Sequence, residues 1–370
     1  MNGIQEKTID NVTSLLMDMI RTPSFSREEE RTADILENYL RDHGVETDRQ
    51  RNNVWAFPKR FNEDDPVILL NSHHDTVRPN RGWSRDPFNP DRTGDVLYGL
   101  GSNDAGGPLV SLIAAFLSLH ESPDLPFNLV LALTAEEEIS GENGIATVLP
   151  KLPDPDLAIV GEPSGMRLGT AERGHMVLEC TASGVSGHAA RDEGVNAIDL
   201  AHEDIRWLRT SHFPRESDLL GDVKLTVTEI SAGIQHNVIP DQCTFTVDVR
   251  VPDSYTNDQI FETIQSHLQS TVTQAEQGLT ASRLPDGHPL FHAAQEVGIE
   301  TFVSPTSSDQ GLMDFPSVKI GPGESERSHT ADEFIRISEI EEGIEKYIEL
   351  LRALESNAQN LWKSHWLTLQ

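Results

Sequence analysis

Four short apolar runs constrain this chain more than any other feature: Val54 to Phe57, Val67 to Asn71, Asn128 to Leu133 and Leu157 to Val160. They are strand-length, nearly free of polar alternation, and separated by segments with helical periodicity. Runs of this kind are strands buried on both faces, so they predict an α/β fold: a mostly parallel sheet with helices on both faces. Two amphipathic helices precede them. The first places Ile9, Val12, Leu15, Leu16 and Met19 on one stripe. The second opens with a capping box, Ser26 and Glu29, and stops at Gly44 after Leu36, Tyr39 and Leu40. A further helix is expected from Pro108 to His120.

Around Arg173 the rhythm changes. His175 to Ser183, Lys224 to Ile230 and Cys243 to Val251 read as strands, with helices over Asn196 to Arg209 and Thr256 to Val272 and a last strand over Thr280 to Leu284. From Phe291 the α/β rhythm resumes, and Glu339 to Leu354 is the last clear helix. At 370 residues the chain exceeds one ordinary core. The expected organisation is a catalytic domain over 1–170 and 285–370, with an α+β unit over 171–284 inserted into it.

Composition removes several function classes. A net charge of -31, from 60 acidic against 29 basic side chains, repels nucleic acid and anionic membranes, so neither is an expected partner. Such self-repulsion also suits a salt-rich setting, where it is screened. No apolar run approaches the roughly 20 residues of a membrane span. The segment Met1 to Lys7 lacks a basic stretch leading into an apolar one, so a cytoplasmic location is expected. Cys180 and Cys243 sit in apolar strand-like segments and read as reduced, buried thiols. The chain has no G-x-S-x-G elbow. Its glycine-rich segment at Gly99 lacks the Lys-Ser/Thr of a phosphate loop and does not fit the dinucleotide fingerprint.

Metal-ligand residue types recur where the expected parallel strands end, the edge at which open α/β sheets build sites. The run from Val67 leads into Ser72-His73-His74-Asp75, the run from Asn128 into Thr134-Ala135-Glu136-Glu137-Glu138, and the run from Leu157 into Gly161-Glu162. Asp104 stands in a glycine-rich turn, Gly99 to Gly107, just before a helix, and Ser328-His329-Thr330 follows far downstream. Each segment alone is weak, since a strand-end His is commonly structural and a Glu triplet commonly faces solvent. Together, imidazoles and carboxylates form a mixed N/O set suited to Zn²⁺ or Co²⁺.

These five ordered segments resemble the dizinc aminoacylase and carboxypeptidase family, whose members include acetylornithine deacetylase and succinyl-diaminopimelate desuccinylase. The resemblance implies two Zn²⁺ (or Co²⁺) per chain. His73 would bind one ion, oriented by Asp75; Asp104 would bridge the pair; Glu162 would complete the first set, and Glu138 and His329 the second. Glu137 would be the general base. In the inserted unit, Gly184 to Ala189 is similar to the family loop whose His, here His188, reaches the reacting carbonyl across a homodimer. His236 to Pro240 and Asp248 to Arg250 also match, which implies that Asn237 and Arg250 hold a substrate carboxylate. The inserted unit would then serve for dimerisation and as a lid.

The chain departs from the family pattern in three places. Glu136 stands where Asp is usual, His74 where a small residue is common, and the segment after Asp104 lacks the usual Met-Lys. The His-x-Asp spacing favours His73 over His74 as the ligand. The resemblance implies an amidohydrolase that removes an acyl group from the α-nitrogen of an amino acid. N-acetylornithine, giving ornithine and acetate in arginine biosynthesis, is the expected substrate. N-succinylornithine, N-acetyl-lysine, N-succinyl-diaminopimelate or a C-terminal peptide bond are the alternatives.

Overall fold

The edge that collects the candidate ligands arises from how four strands align. In the computed structural model, which describes residues 6–191, 193–275 and 278–365, Val67–His73 runs parallel to Asn128–Thr134 on one side and to Leu157–Gly161 on the other. Ser317–Ile320 extends the parallel set beyond Leu157–Gly161. Asn53–Ala56 joins antiparallel at Asn128–Thr134 and turns back through Thr47–Gln50.

Continuous apolarity in these strands has a direct cause. Ile68, Leu70, Leu129, Leu131, Leu133, Leu157 and Ile159 point into one core with helices Glu6–Ile20, Gly107–Leu119 and Ile337–His365. Their neighbours Val67, Leu69, Val130, Ala132, Ala158 and Val160 point into a second core with Ile145, Val148 and Leu152. A strand sandwiched this way cannot alternate with polar residues. Helix Gly107–Leu119 is itself buried along almost its whole length. Among the described residues, no helix is long and apolar enough to cross a membrane.

The chain clusters into two compact units. One comprises Met1–Thr170, Arg283–Phe302 and Ser308–Gln370; the other comprises Ala171–Ser282 and Val303–Ser307. The second unit is a four-stranded antiparallel sheet in the order Lys224–Ala232, Gln242–Val251, Gly174–Ser183, Thr271–Gln274. Helices Ala197–Thr210 and Asn257–His267 share its core with Met176, Leu178, Phe245 and Val247. Cys180 and Cys243 lie in that core as buried free thiols.

Several local expectations are corrected. Ser26 and Glu29 form no capping box: helix Glu30–Asp42 has no side-chain cap. Ser26 Oγ instead donates to Asp75 Oδ2 at 2.7 Å, and Glu29 accepts from Arg27 N and Asn52 Nδ2. The helix expected over Thr256 to Val272 ends at His267, and Val272 lies in strand Thr271–Gln274. The buried Asp204 carboxylate causes this break, accepting Gln269 N, Ser270 N and Ser270 Oγ and so fixing a turn where the helix would have run on. Ser282–Arg283 is a strand of the large sheet and not of the inserted one, and Leu284 N beside it donates to Thr170 O. Val303–Ser307 clusters with the inserted unit, where Ser307 Oγ donates to the Arg173 carbonyl.

Candidate metal centre

Strand geometry delivers the first ligand type. His73 closes its strand with its ring 1% exposed, and its Nδ1 lies 3.1 Å from the carbonyl and 3.4 Å from the carboxylate of Asp75. That leaves Nε2 facing outward from the sheet edge. Asp75 is itself fully occupied, accepting Ser26 Oγ, Glu137 N and Glu138 N. One buried carboxylate therefore fixes both an imidazole and the turn that presents the two glutamates. His74 points elsewhere: its Nε2–H donates to the Asn52 carbonyl, its Nδ1 meets the Thr32 hydroxyl, and burial pulls it down to about 4. Glu136 also turns away, in a left-handed backbone conformation, and accepts from Asn143. Its difference from the family pattern thus falls outside the carboxylate cluster.

His73 Nε2 lies 3.2 Å from Asp104 Oδ1, 3.6 Å from Glu162 Oε1 and 3.9 Å from Glu137 Oε2. On the other side of Asp104, its Oδ2 lies 3.7 Å from His329 Nε2, which in turn meets Glu138 Oε2 at 2.9 Å. One carboxylate therefore faces two imidazoles with different oxygens, the geometry of a bridge. The ligand atoms of His73, Asp104 and Glu138 fall within 4.8 Å of one another, and so do those of His73, Glu137 and Glu162. Glu137 stands as near as a ligand would, so proximity alone does not distinguish it from Glu138 or Glu162.

The electrostatics call for a cation. Burial and neighbouring carboxylates push Glu162 up to about 8, and burial, with Glu162 and Glu138 adding repulsion, holds Glu137 well above the usual carboxylate range. Hydrogen bonding to Glu138 raises His329 to about 9. Glu138 Oε1 and Glu162 Oε1 are buried with no hydrogen-bond partner among the described residues. An anionic oxygen stripped of water and hydrogen bonds is costly unless a cation faces it. Imidazoles and carboxylates without thiolate fit Zn²⁺ or Co²⁺.

Three residues near the cluster have roles that their sequence segments do not announce. Ser26 holds Asp75. Asp309, fully buried and pushed up to about 6 mainly by burial, accepts Thr134 Oγ1 at 3.0 Å and lies close enough to repel Glu137. Glu333 accepts three backbone N–H groups from the turn of Asp104. Ser26 was expected to cap a helix, and Asp309 and Glu333 lie in segments that gave them no role of their own; their long-range partners reveal their place.

His188 and Asn237 are exposed neighbours, with Ala189 N donating to the Asn237 carbonyl and His188 bridged to Val238. Arg250 stands at the opposite end of its strand, paired in register with His175 and Lys224. Gln242 lies eight residue steps back along the strand, about 26 Å at 3.3 Å per residue. The sequence expectation had Asn237 and Arg250 on one carboxylate; within one chain they do not meet. Arg250 Nε and Nη2 both donate to Asp248, at 2.9 and 3.0 Å, a pair that does not engage Nη1.

A model described as peptidase family M20/M25/M40 matches residues 69–353. The acetylornithine deacetylase of Photorhabdus laumondii is 26% identical over 358 residues, covering 88% of this chain and 92% of the relative. Two solved structures share the fold. An M20 family metallo-carboxypeptidase of Sulfolobus solfataricus has a TM-score of 0.74 at 18% identity, covering 93% of this chain and 99% of that one. A dinuclear metal-binding M20 peptidase of Bacillus subtilis has a TM-score of 0.67 at 16% identity, covering 95% and 99%.

Proposed function

Because the chain belongs to peptidase family M20/M25/M40, we propose that it is a two-metal amidohydrolase acting on the α-nitrogen of an N-acyl amino acid, with N-acetylornithine as substrate and ornithine and acetate as products. The observation that carries this reading is Asp104, which faces His73 with one oxygen and His329 with the other, between the unpartnered oxygens of Glu138 and Glu162. His73, Asp104 and Glu162 would hold one ion, and Asp104, Glu138 and His329 the other. When bound, the ions supply Lewis acidity and a nucleophile usable near neutral pH.

The remaining work falls to the side chains. Glu137 takes the proton of the attacking water and delivers it to the leaving α-nitrogen, so one carboxylate serves as base and then as acid. Asp75 keeps the His73 imidazole oriented and holds the Glu137–Glu138 turn through its backbone N–H groups. His188 stabilises the oxyanion of the tetrahedral intermediate. Arg250 offers Nη1 to the substrate carboxylate, anchored from behind by Asp248.

The separation of Arg250 from His188 and Asn237 supports a homodimer, in which one copy supplies the arginine and the other the histidine and asparagine. Strand Lys224–Ala232 supports it too. It is an edge strand of its sheet, exposed along most of its length, with Ile230 59% exposed and Ile234 in the following loop 93% exposed. Natural edges are normally covered or blunted, and this one suits a second copy.

The acetylornithine assignment takes its support from relatives of that name, and the fold shared with a metallo-carboxypeptidase makes a C-terminal peptide bond the second reading. A panel of N-acetyl and N-succinyl amino acids and dipeptides, assayed with metal-loaded protein, separates them. N-acetylornithine should have the highest kcat/KM. A preference for dipeptides would replace the deacetylase reading with the carboxypeptidase one.

A further inference from the structure

Glu333 lies four residues beyond His329 and is 2% exposed, yet it is no candidate ligand. Its carboxylate faces the turn that carries Asp104. Oε1 accepts Asn103 N at 2.8 Å and Asp104 N at 2.9 Å, while Oε2 accepts Gly101 N at 3.1 Å. Its own carbonyl accepts Gly99 N at 3.0 Å. A second tie joins the same two segments: Asn103 donates through Nδ2 to the Glu324 carbonyl and accepts Glu324 N at Oδ1, each at 3.0 Å. The stretch 324–333 is therefore bonded at both ends to the turn 99–104, with His329 on one strand of this clasp and Asp104 on the other.

We infer that Glu333 is a positioning residue for the metal centre, holding the Asp104 backbone and with it the spacing between Asp104 and His329. The inference rests on reading Asp104 as the bridging ligand. Three inward-pointing N–H groups need an acceptor-only partner, and a carboxylate is the side chain that supplies two such oxygens. A glutamine keeps one oxygen and turns an NH₂ toward a donor, leaving at least one buried N–H unsatisfied. The turn then relaxes and the Asp104 carboxylate moves with it. Groups that orient ligands in this way typically set metal affinity by 10- to 100-fold.

The test titrates Zn²⁺ into metal-free wild type, Glu333→Gln, Glu333→Asp and Asp104→Asn, with Tm recorded for metal-free and loaded forms. Glu333→Gln should bind metal about 10- to 100-fold more weakly, and the gain in Tm on loading should shrink relative to wild type. Glu333→Asp keeps the charge, shortens the reach, and should fall between; it decides the question by the same criteria should Glu333→Gln not fold. A Glu333 variant with a lower metal-free Tm but wild-type metal affinity and an undiminished gain on loading would overturn the inference, leaving Glu333 a scaffold residue. Asp104→Asn separates the two levels. If it also binds both ions as wild type does, the bridging assignment fails; if it is weakened while the Glu333 variants are not, only the role of Glu333 fails.

Discussion

Glu137 and Glu138 are adjacent and half-buried, Glu137 beside His73 and Glu138 against His329, and they are expected to do different things. Glu138 has an oxygen with no hydrogen-bond partner among the described residues and a 2.9 Å contact with His329, so Glu138→Ala should lower metal content. Glu137→Ala should retain both ions and the fold while losing on the order of 10²–10⁴ in turnover. Metal analysis beside kinetics checks this, and a Glu137→Ala protein that loses an ion while Glu138→Ala keeps both would reverse the roles. A second residue-scale expectation concerns His288, which caps helix Pro289–Glu296 through Nδ1 and is pulled down to about 4 by burial. The unfolded chain protonates it near its ordinary value of 6.5, so its contribution is present above that pH and lost as pH falls from there toward 4. Replacing it by Asn, which can still cap, should reduce the stability difference between pH 7 and pH 5 by on the order of 1–2 kcal/mol; denaturant unfolding at both pH values would show it, and an unchanged difference would contradict it. At this scale the sequence was readable where spacing carries information. The family's His-x-Asp spacing favoured His73 over His74; the His73 ring faces the carboxylate cluster, while the His74 ring is bonded to Asn52 and Thr32. The roles of Ser26, Asp309 and Glu333 were not readable, since each acts through a partner 49 to 232 positions away.

Among elements, the buried strands were the clearest, because a strand covered on both faces has no polar register to lose. The helix expected to reach Val272 shows the opposite case: Asp204, some 65 positions upstream, ends the element. The inserted sheet adds a geometric result that no motif contains, namely that His188 and Asn237 lie at one end and Arg250 at the other. A pair of inactive variants tests the resulting division of labour between chains. Glu137→Ala and His188→Ala subunits, mixed and allowed to exchange, should regain activity, since some mixed dimers then contain one intact site. No recovery after proven exchange would assign His188 to its own chain or to no role.

For the whole molecule, the excess of negative charge is the property with the widest reach. A net -31 spread over 370 residues opposes compaction through repulsion that salt screens within about 10 Å at 0.1 M. The Tm should therefore rise between low and moderate salt, and a flat or falling Tm over that range would contradict the role given to charge. The fold class was legible at this scale from the alternation of buried strands with helices, while the participation of Val303–Ser307 in the inserted unit was not, because a short polar return carries no periodicity. What unites the scales is the proposed dinuclear centre at the ends of parallel strands, and metal content measured in a catalytically active preparation tests it most directly. The geometry predicts two ions per chain, with activity lost on chelation and restored by Zn²⁺ or Co²⁺. One ion or none in a fully active preparation would contradict it.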